Sequence, residues 1–154
     1  MYCNKALELF LNYKYSCGFT EKTIKHYKSH ITYFINYINN KDISDLTYLD
    51  YETYIIYLRN KNPKLASRTI KTYATVVKTF IHYLEINNFI NTNIYSKIII
   101  PKFQKKKLSI LSDNQINILL DAENINTFIG TRNLLIFSLM LGSGLRLSEV
   151  VNIK

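Results

Sequence analysis

Four segments within residues 1–97 place apolar side chains three or four residues apart, which is the period of an α-helix. The second segment is the clearest, because Ile24, Tyr27, Ile31, Phe34 and Ile38 all fall on one side of a helix. The spacing predicts helices at about 4–16, 20–38, 47–59 and 67–86. Amphipathic helices with short connections pack as a bundle, so the sequence predicts an all-α fold.

Residues that favour helix ends lie at the boundaries of these segments. Gly18 suits the left-handed conformation that commonly ends a helix. Thr20 is a good N-cap, with Glu21 in the favourable first turn. Thr47 has Asp50 three residues later, as in a capping box. These signals predict where the second and third helices begin.

The formal net charge of +9 is unevenly distributed along the chain. Residues 1–97 carry 13 Lys and Arg against seven Asp and Glu. Residues 98–108 contain Pro101 and four lysines but no acid, and residues 109–154 have a net charge of −1. We therefore predict a helical domain at 1–97, a basic linker at 98–108 and a further piece at 109–154. The excess charge suits a polyanionic partner, although an AT-rich coding bias also produces lysine.

The predicted second and fourth helices each carry a polar stripe without acids, opposite the core. Such stripes suit contacts with phosphates and base edges, whereas the plain alternative is a solvated helix face. The predicted DNA contacts are Lys22, Lys25, Ser29 and Thr32 on the second helix, Arg68, Lys71, Thr75 and Lys78 on the fourth, and Lys105, Lys106 and Lys107 in the linker.

An apolar helix at 131–141 is followed by a Gly-Ser-Gly turn and a second helix with Arg146 in its first turn. A helix start attracts anions, and a guanidinium can hold two oxygens of one phosphate. Arg146 is therefore a candidate phosphate ligand. The alternative is a surface arginine that pairs with a nearby carboxylate. Arg132 is interpreted as a structural ion-pairing residue.

The residues Gly-Ser-Gly-Leu-Arg-Leu-Ser-Glu at 142–149 resemble the first conserved box of the tyrosine recombinases, the phage integrase and Xer family. The resemblance implies that Arg146 is the first catalytic arginine and that Glu149 supports the active site. It also implies that 1–97 is a four-helix core-binding (SAM-like) domain, because 18–27 and 67–71 resemble the starts of its helices two and four. Residues 109–154 would then be the opening helices of an incomplete catalytic domain.

The resemblance further implies transesterification on DNA, in which a tyrosine hydroxyl attacks a phosphodiester and forms a 3′-phosphotyrosyl link. No metal or nucleotide cofactor is needed. The family's later lysine, His-x-x-Arg pair and nucleophilic tyrosine have no match after Arg146, so we expect a chain cut short after the first box and inactive alone. Expected partners are duplex DNA and either further copies on DNA or a full-length recombinase. The alternatives are a stand-alone, non-catalytic DNA-binding protein and a helical protein-interaction module.

Other classes of site and location are disfavoured by the sequence. His26 and His30 have a spacing that can hold a metal, but no third ligand is evident. No apolar run approaches the ~20 residues that span a membrane, and the N-terminus lacks a signal-peptide core. Cys3 and Cys17 are interpreted as reduced thiols. We therefore expect a cytoplasmic protein without a metal site or membrane association.

Overall fold

The computed structural model describes residues 1–61, 65–90, 93–103 and 109–153. The chain divides into two compact units, Met1–Lys105 and Lys106–Lys154. The first contains α1 Cys3–Ser16, α2 Glu21–Tyr37, α3 Tyr48–Lys61 and α4 Ser67–Ile86, and the second contains α5 Asp113–Asp121, α6 Phe128–Ser143 and α7 Leu147–Val150. The described residues form no β-strand, which confirms the all-α prediction.

The first unit is built around an aromatic core. In this bundle α1 packs against α2, and α4 contacts α1, α2 and α3. Phe10, Phe34, Tyr54 and Phe80 are completely buried, and the Phe10 and Phe80 rings meet edge to face with centroids 5.6 Å apart. Apart from the tyrosines Tyr51 and Tyr54, whose rings belong to the core, no polar or charged side chain is buried among the described residues. The core therefore depends on apolar burial and aromatic packing.

The predicted helix boundaries of the first unit are confirmed. Gly18 adopts a left-handed φ of +78° after α1. The Thr20 hydroxyl accepts the backbone N–H of Thr23 at 3.3 Å, which caps α2. Before α3, the Asp50 carboxylate accepts the backbone N–H of Thr47 at 2.8 Å. Each contact satisfies a donor that a helix start would otherwise leave free.

The second unit differs from the prediction at both ends of α6. This helix begins at Phe128, because the Thr127 hydroxyl accepts the N–H of Gly130 at 3.1 Å and caps it. Gly142 lies within the helix, so the predicted Gly-Ser-Gly turn is wrong. Gly144 alone ends α6, with a left-handed φ of +68° that a glycine adopts without steric cost.

The second unit exposes many of its apolar side chains. Phe128 is 82% exposed and Ile118 is 61% exposed. Among its described residues, only Gly130 and Val150 are buried. Little apolar burial therefore stabilises this unit.

No helix within the described ranges combines the length and apolar character that a bilayer crossing requires.

Candidate functional site

An open groove runs between α2 and α4 in the first unit. We call this the α2–α4 groove. No carboxylate is among the described residues that line it, so its charged side chains are all basic. Its lining residues are Thr23, His26, Tyr27, Arg68, Lys71, Thr72, Thr75, Val76 and Phe103.

The α4 side of the groove contains three of the predicted DNA contacts. Arg68 and Thr75 are exposed, and Lys71 is half-buried. The Lys71 ammonium lies 4.8 Å from the centroid of the Phe103 ring, a cation–π distance. The Thr75 hydroxyl donates to the carbonyl of Lys71 at 2.9 Å, which leaves its oxygen able to accept. This wall offers both charge and hydrogen-bonding groups to a ligand.

Lys78, the fourth predicted α4 contact, is bound to its own chain. Its ammonium donates to the carbonyl of Ile98 at 2.8 Å and lies 4.6 Å from the Tyr95 ring centroid. The Tyr51 hydroxyl donates to the next carbonyl, that of Ile99, at 3.1 Å. These hydrogen bonds hold residues 98 and 99 against α4 and α3. The same segment continues to Phe103, which lines the groove. Lys78 therefore has a structural role in addition to its charge.

The predicted α2 contacts do not line the groove. Lys22, Lys25 and Ser29 are exposed and Thr32 is half-buried, but none of them is among the described lining residues. The interpretation of this stripe as acid-free needs correction, because the Glu21 carboxylate lies 3.8 Å from the Lys25 ammonium across one helical turn. The linker lysines Lys105, Lys106 and Lys107 lie outside the described residues.

Six residues that line the groove were not predicted as DNA contacts from the sequence: Thr23, His26, Tyr27, Thr72, Val76 and Phe103. Helical periodicity would have predicted Thr72 as a further contact, because it lies one helical turn from Arg68 on the same face of α4. His26 was considered only as a metal ligand. Among the described residues, no three His, Cys, Asp or Glu side chains cluster closely enough to hold a metal ion.

The structure corrects the placement of Arg146. It is the N-cap residue, in extended conformation with φ −76° and ψ 153°, and α7 after it has only four residues. Arg146 therefore precedes the first turn, and so short a helix adds little dipole attraction for a phosphate. Its guanidinium is 83% exposed and pairs with the Glu149 carboxylate at 3.2 Å. An exposed, oriented guanidinium can still offer its remaining N–H groups to a phosphate.

Glu149 holds Arg146 through both of its carboxylate oxygens. Oε2 accepts the backbone N–H of Arg146 at 2.8 Å, while Oε1 accepts the side-chain Nη1. Glu149 thus fixes the start of α7 and the direction of the guanidinium together. The prediction that Arg132 forms an ion pair is wrong for the described residues, because its guanidinium donates to the amide oxygen of Asn133 at 3.2 Å.

Similarity to known proteins extends over both units. Tyrosine recombinase XerC of Bacillus pumilus is 26% identical over 152 residues, which cover 97% of this chain and 50% of that protein. Tyrosine recombinase XerD of Oceanobacillus iheyensis is 24% identical over 153 residues, covering 97% of this chain and 51% of the relative. The chain is related to the tyrosine recombinases. The predicted family relationship is thereby confirmed.

A third tyrosine recombinase has a higher sequence identity over a shorter stretch of this chain. XerD of Rickettsia prowazekii is 34% identical over 102 residues, or 66% of this chain and 32% of the relative. The chain spans about half the length of the first two recombinases. No profile of a known protein family matches it. No solved structure matches it either.

Proposed function

We propose that the first unit binds duplex DNA through the α2–α4 groove, and that the chain is the DNA-binding part of a site-specific tyrosine recombinase. The observation that carries the proposal is the groove wall on α4, where Arg68 and Lys71 stand beside Thr72 and Thr75 with no acid among the described lining residues. Relatives that bear the recombinase name add independent support.

The chemistry of the groove fits a phosphate backbone. Arg68 can hold two phosphate oxygens at once, and Lys71 supplies a compact positive charge. Threonine hydroxyls bond to phosphates or to base edges, and so can fix the register of the protein on the duplex. Lys22 on α2 would extend the contact along the DNA backbone, and the linker lysines stay predicted contacts on the ground of their charge. Lys25 contributes less, because Glu21 partly neutralises it.

In the second unit, we assign to Arg146 the role of holding the non-bridging oxygens of a scissile phosphate. There it would stabilise charge that develops as a tyrosine hydroxyl attacks and the 5′-hydroxyl leaves. Glu149 is the positioning residue, because it holds both the backbone and the side chain of Arg146. All 13 tyrosines precede residue 98, whereas the family's nucleophile follows the arginine box. We therefore expect the 154-residue polypeptide not to nick a suicide DNA substrate.

The salt dependence of DNA binding tests the first part of the proposal. Each phosphate contact changes the slope of log K against log salt concentration by about 0.9. The double variant Arg68→Ala/Lys71→Ala should therefore flatten the slope by about 1.8. Arg59→Ala/Lys5→Ala is the matched control, since it removes one exposed arginine and one exposed lysine of α3 and α1, away from the groove.

The outcomes separate the candidate functions. Equal slopes for the two double variants would show that the groove is not the binding surface. No binding of the wild-type chain at low salt would favour the helical protein-interaction module, which the exposed apolar residues of the second unit also suit. Binding without nicking agrees with either a recombinase part or a stand-alone DNA-binding protein.

A further inference from the structure

His26 stands at the wall of the α2–α4 groove in an aromatic stack. Its ring centroid is 4.1 Å from that of His30, and the His30 ring is 4.4 Å from that of Tyr73 on α4. The His30 Nδ1 atom is hydrogen-bonded to the backbone carbonyl of His26 at 2.8 Å. The stack limits the orientations open to the His26 ring, which remains exposed at the groove.

The two histidines have different environments. Burial lowers the pKa of His30 below its ordinary value, because a low-dielectric surrounding disfavours the charged imidazole. His30 packs between α2 and α4, where its ring meets that of Tyr73. His26 is exposed and faces the groove, where a ligand can reach its ring nitrogens.

The charged side chains that line the groove with His26 are basic, and on α2 the Glu21 carboxylate is paired with the Lys25 ammonium at 3.8 Å. Arg68 and Lys71 line the same groove from α4, and Lys22 precedes His26 by one turn of α2. The Tyr27 ring centroid lies 6.3 Å from that of His26, and the Tyr73 phenol contacts His30. A proton on His26 would add positive charge to an already basic groove. A bound phosphate backbone would relieve that repulsion, so proton binding and DNA binding favour each other.

We propose that His26 is a pH-dependent DNA contact, which takes up a proton when duplex DNA enters the α2–α4 groove. This inference rests on the proposed DNA-binding function and adds its regulation by pH. Imidazole is the side chain whose charge changes between about pH 5 and 8, so affinity for DNA should rise as the pH falls through that range. Gaining one phosphate contact should raise affinity about eightfold at about 0.1 M salt, from a slope of about 0.9 per contact.

The experiment measures binding of the full chain to a labelled duplex of about 30 base pairs, at about 0.1 M salt, from about pH 8 to pH 5.5. The wild type should bind about eightfold more tightly at the acid end. His26→Gln should abolish the pH dependence, and His26→Lys should bind tightly at every pH because its charge is permanent. His82→Gln is the matched control, since His82 stacks on Tyr95 at 4.0 Å and does not line the groove.

The outcomes distinguish this inference from the function on which it rests. An absence of DNA binding at every pH would overturn the proposed function itself. Binding whose pH dependence survives in His26→Gln, or is lost in His82→Gln, would overturn the role of His26 and leave DNA binding intact. Binding of the wild type that does not change with pH would overturn it as well.

Discussion

Two tyrosines of α3, Tyr51 and Tyr54, should respond in opposite directions to the same substitution. Both are buried, with exposed fractions of 2% and 0%. The Tyr51 hydroxyl donates to the carbonyl of Ile99 at 3.1 Å, whereas the Tyr54 hydroxyl has no partner among the described residues. Replacing each by phenylalanine removes the hydroxyl and keeps the ring, so the packing of the core is preserved.

The expected magnitudes follow from the hydrogen bonds. A buried donor without a partner costs about 1–3 kcal/mol, so Tyr54→Phe should raise the free energy of unfolding by about 1–2 kcal/mol. A satisfied hydrogen bond contributes about 0.5–1.5 kcal/mol net, so Tyr51→Phe should lower the free energy of unfolding by about 1 kcal/mol. The two variants should therefore differ by about 2–3 kcal/mol.

Urea unfolding followed by near-ultraviolet circular dichroism of tyrosine measures this difference in the first unit. All 13 tyrosines lie before residue 98 and the chain has no tryptophan, so the tyrosine signal reports on the bundle. With a urea dependence of about 1–3 kcal/mol per M, the two midpoints should be separated by about 1 M or more. A midpoint for Tyr54→Phe as low as that for Tyr51→Phe would refute the reasoning, because it would mean that the Tyr54 hydroxyl is satisfied.

Three further outcomes are expected. Phe103→Ala should raise DNA affinity by up to about fivefold at about 0.1 M salt, because its cation–π contact of about 0.5–1 kcal/mol would no longer compete with phosphate for Lys71. Weaker DNA binding by this variant would instead make Phe103 part of the DNA contact. Arg146→Ala should reduce DNA affinity less than Lys71→Ala does in the same titration, because Lys71 lines the groove that is proposed to bind DNA and Arg146 does not. An equal or larger loss would contradict the assignment of DNA affinity to the groove. Burial raises the pKa of Tyr51 to about 12, so the stability that depends on the neutral Tyr51 hydroxyl is fully present below pH 10. As the pH rises from 10 towards 12, the free energy of unfolding should fall by about 1.4 kcal/mol per pH unit. The urea midpoint of Tyr51→Phe should fall less steeply over the same pH range than that of the wild type.

Local sequence signals were sufficient to predict the first unit's helices. Apolar residues at a period of 3.6 predicted the buried side of each helix, and Ile31 and Phe34 are buried as expected. Thr20 and Gly18 act within three residues of their own positions, so their roles could be predicted without any knowledge of packing. The α6 helix is apolar on most sides, so periodicity did not predict its start, although the Thr127 cap was a usable signal.

The candidate groove could be predicted only in part, because it depends on how two helices pack. Periodicity identifies the side of α2 opposite the core, which carries Lys22 and Lys25. It does not identify the flank that faces α4, and that flank contains Thr23 and His26. Lys78 likewise bonds to the carbonyl of Ile98, 20 residues later, a contact that no local pattern predicts.

The two candidate sites differ in how their geometry is maintained. The α2–α4 groove is formed by helices with a common buried core, so its shape persists as long as the first unit is folded. Among the described residues, the hydrogen bonds of Arg146 are to partners within four positions in sequence, chiefly Glu149. Its orientation is therefore set by the short segment that follows Gly144. Damage to one site should therefore leave the other in place. On this argument, DNA affinity and phosphate positioning are separable properties, and Arg68→Ala/Lys71→Ala should leave the Arg146–Glu149 pair unchanged.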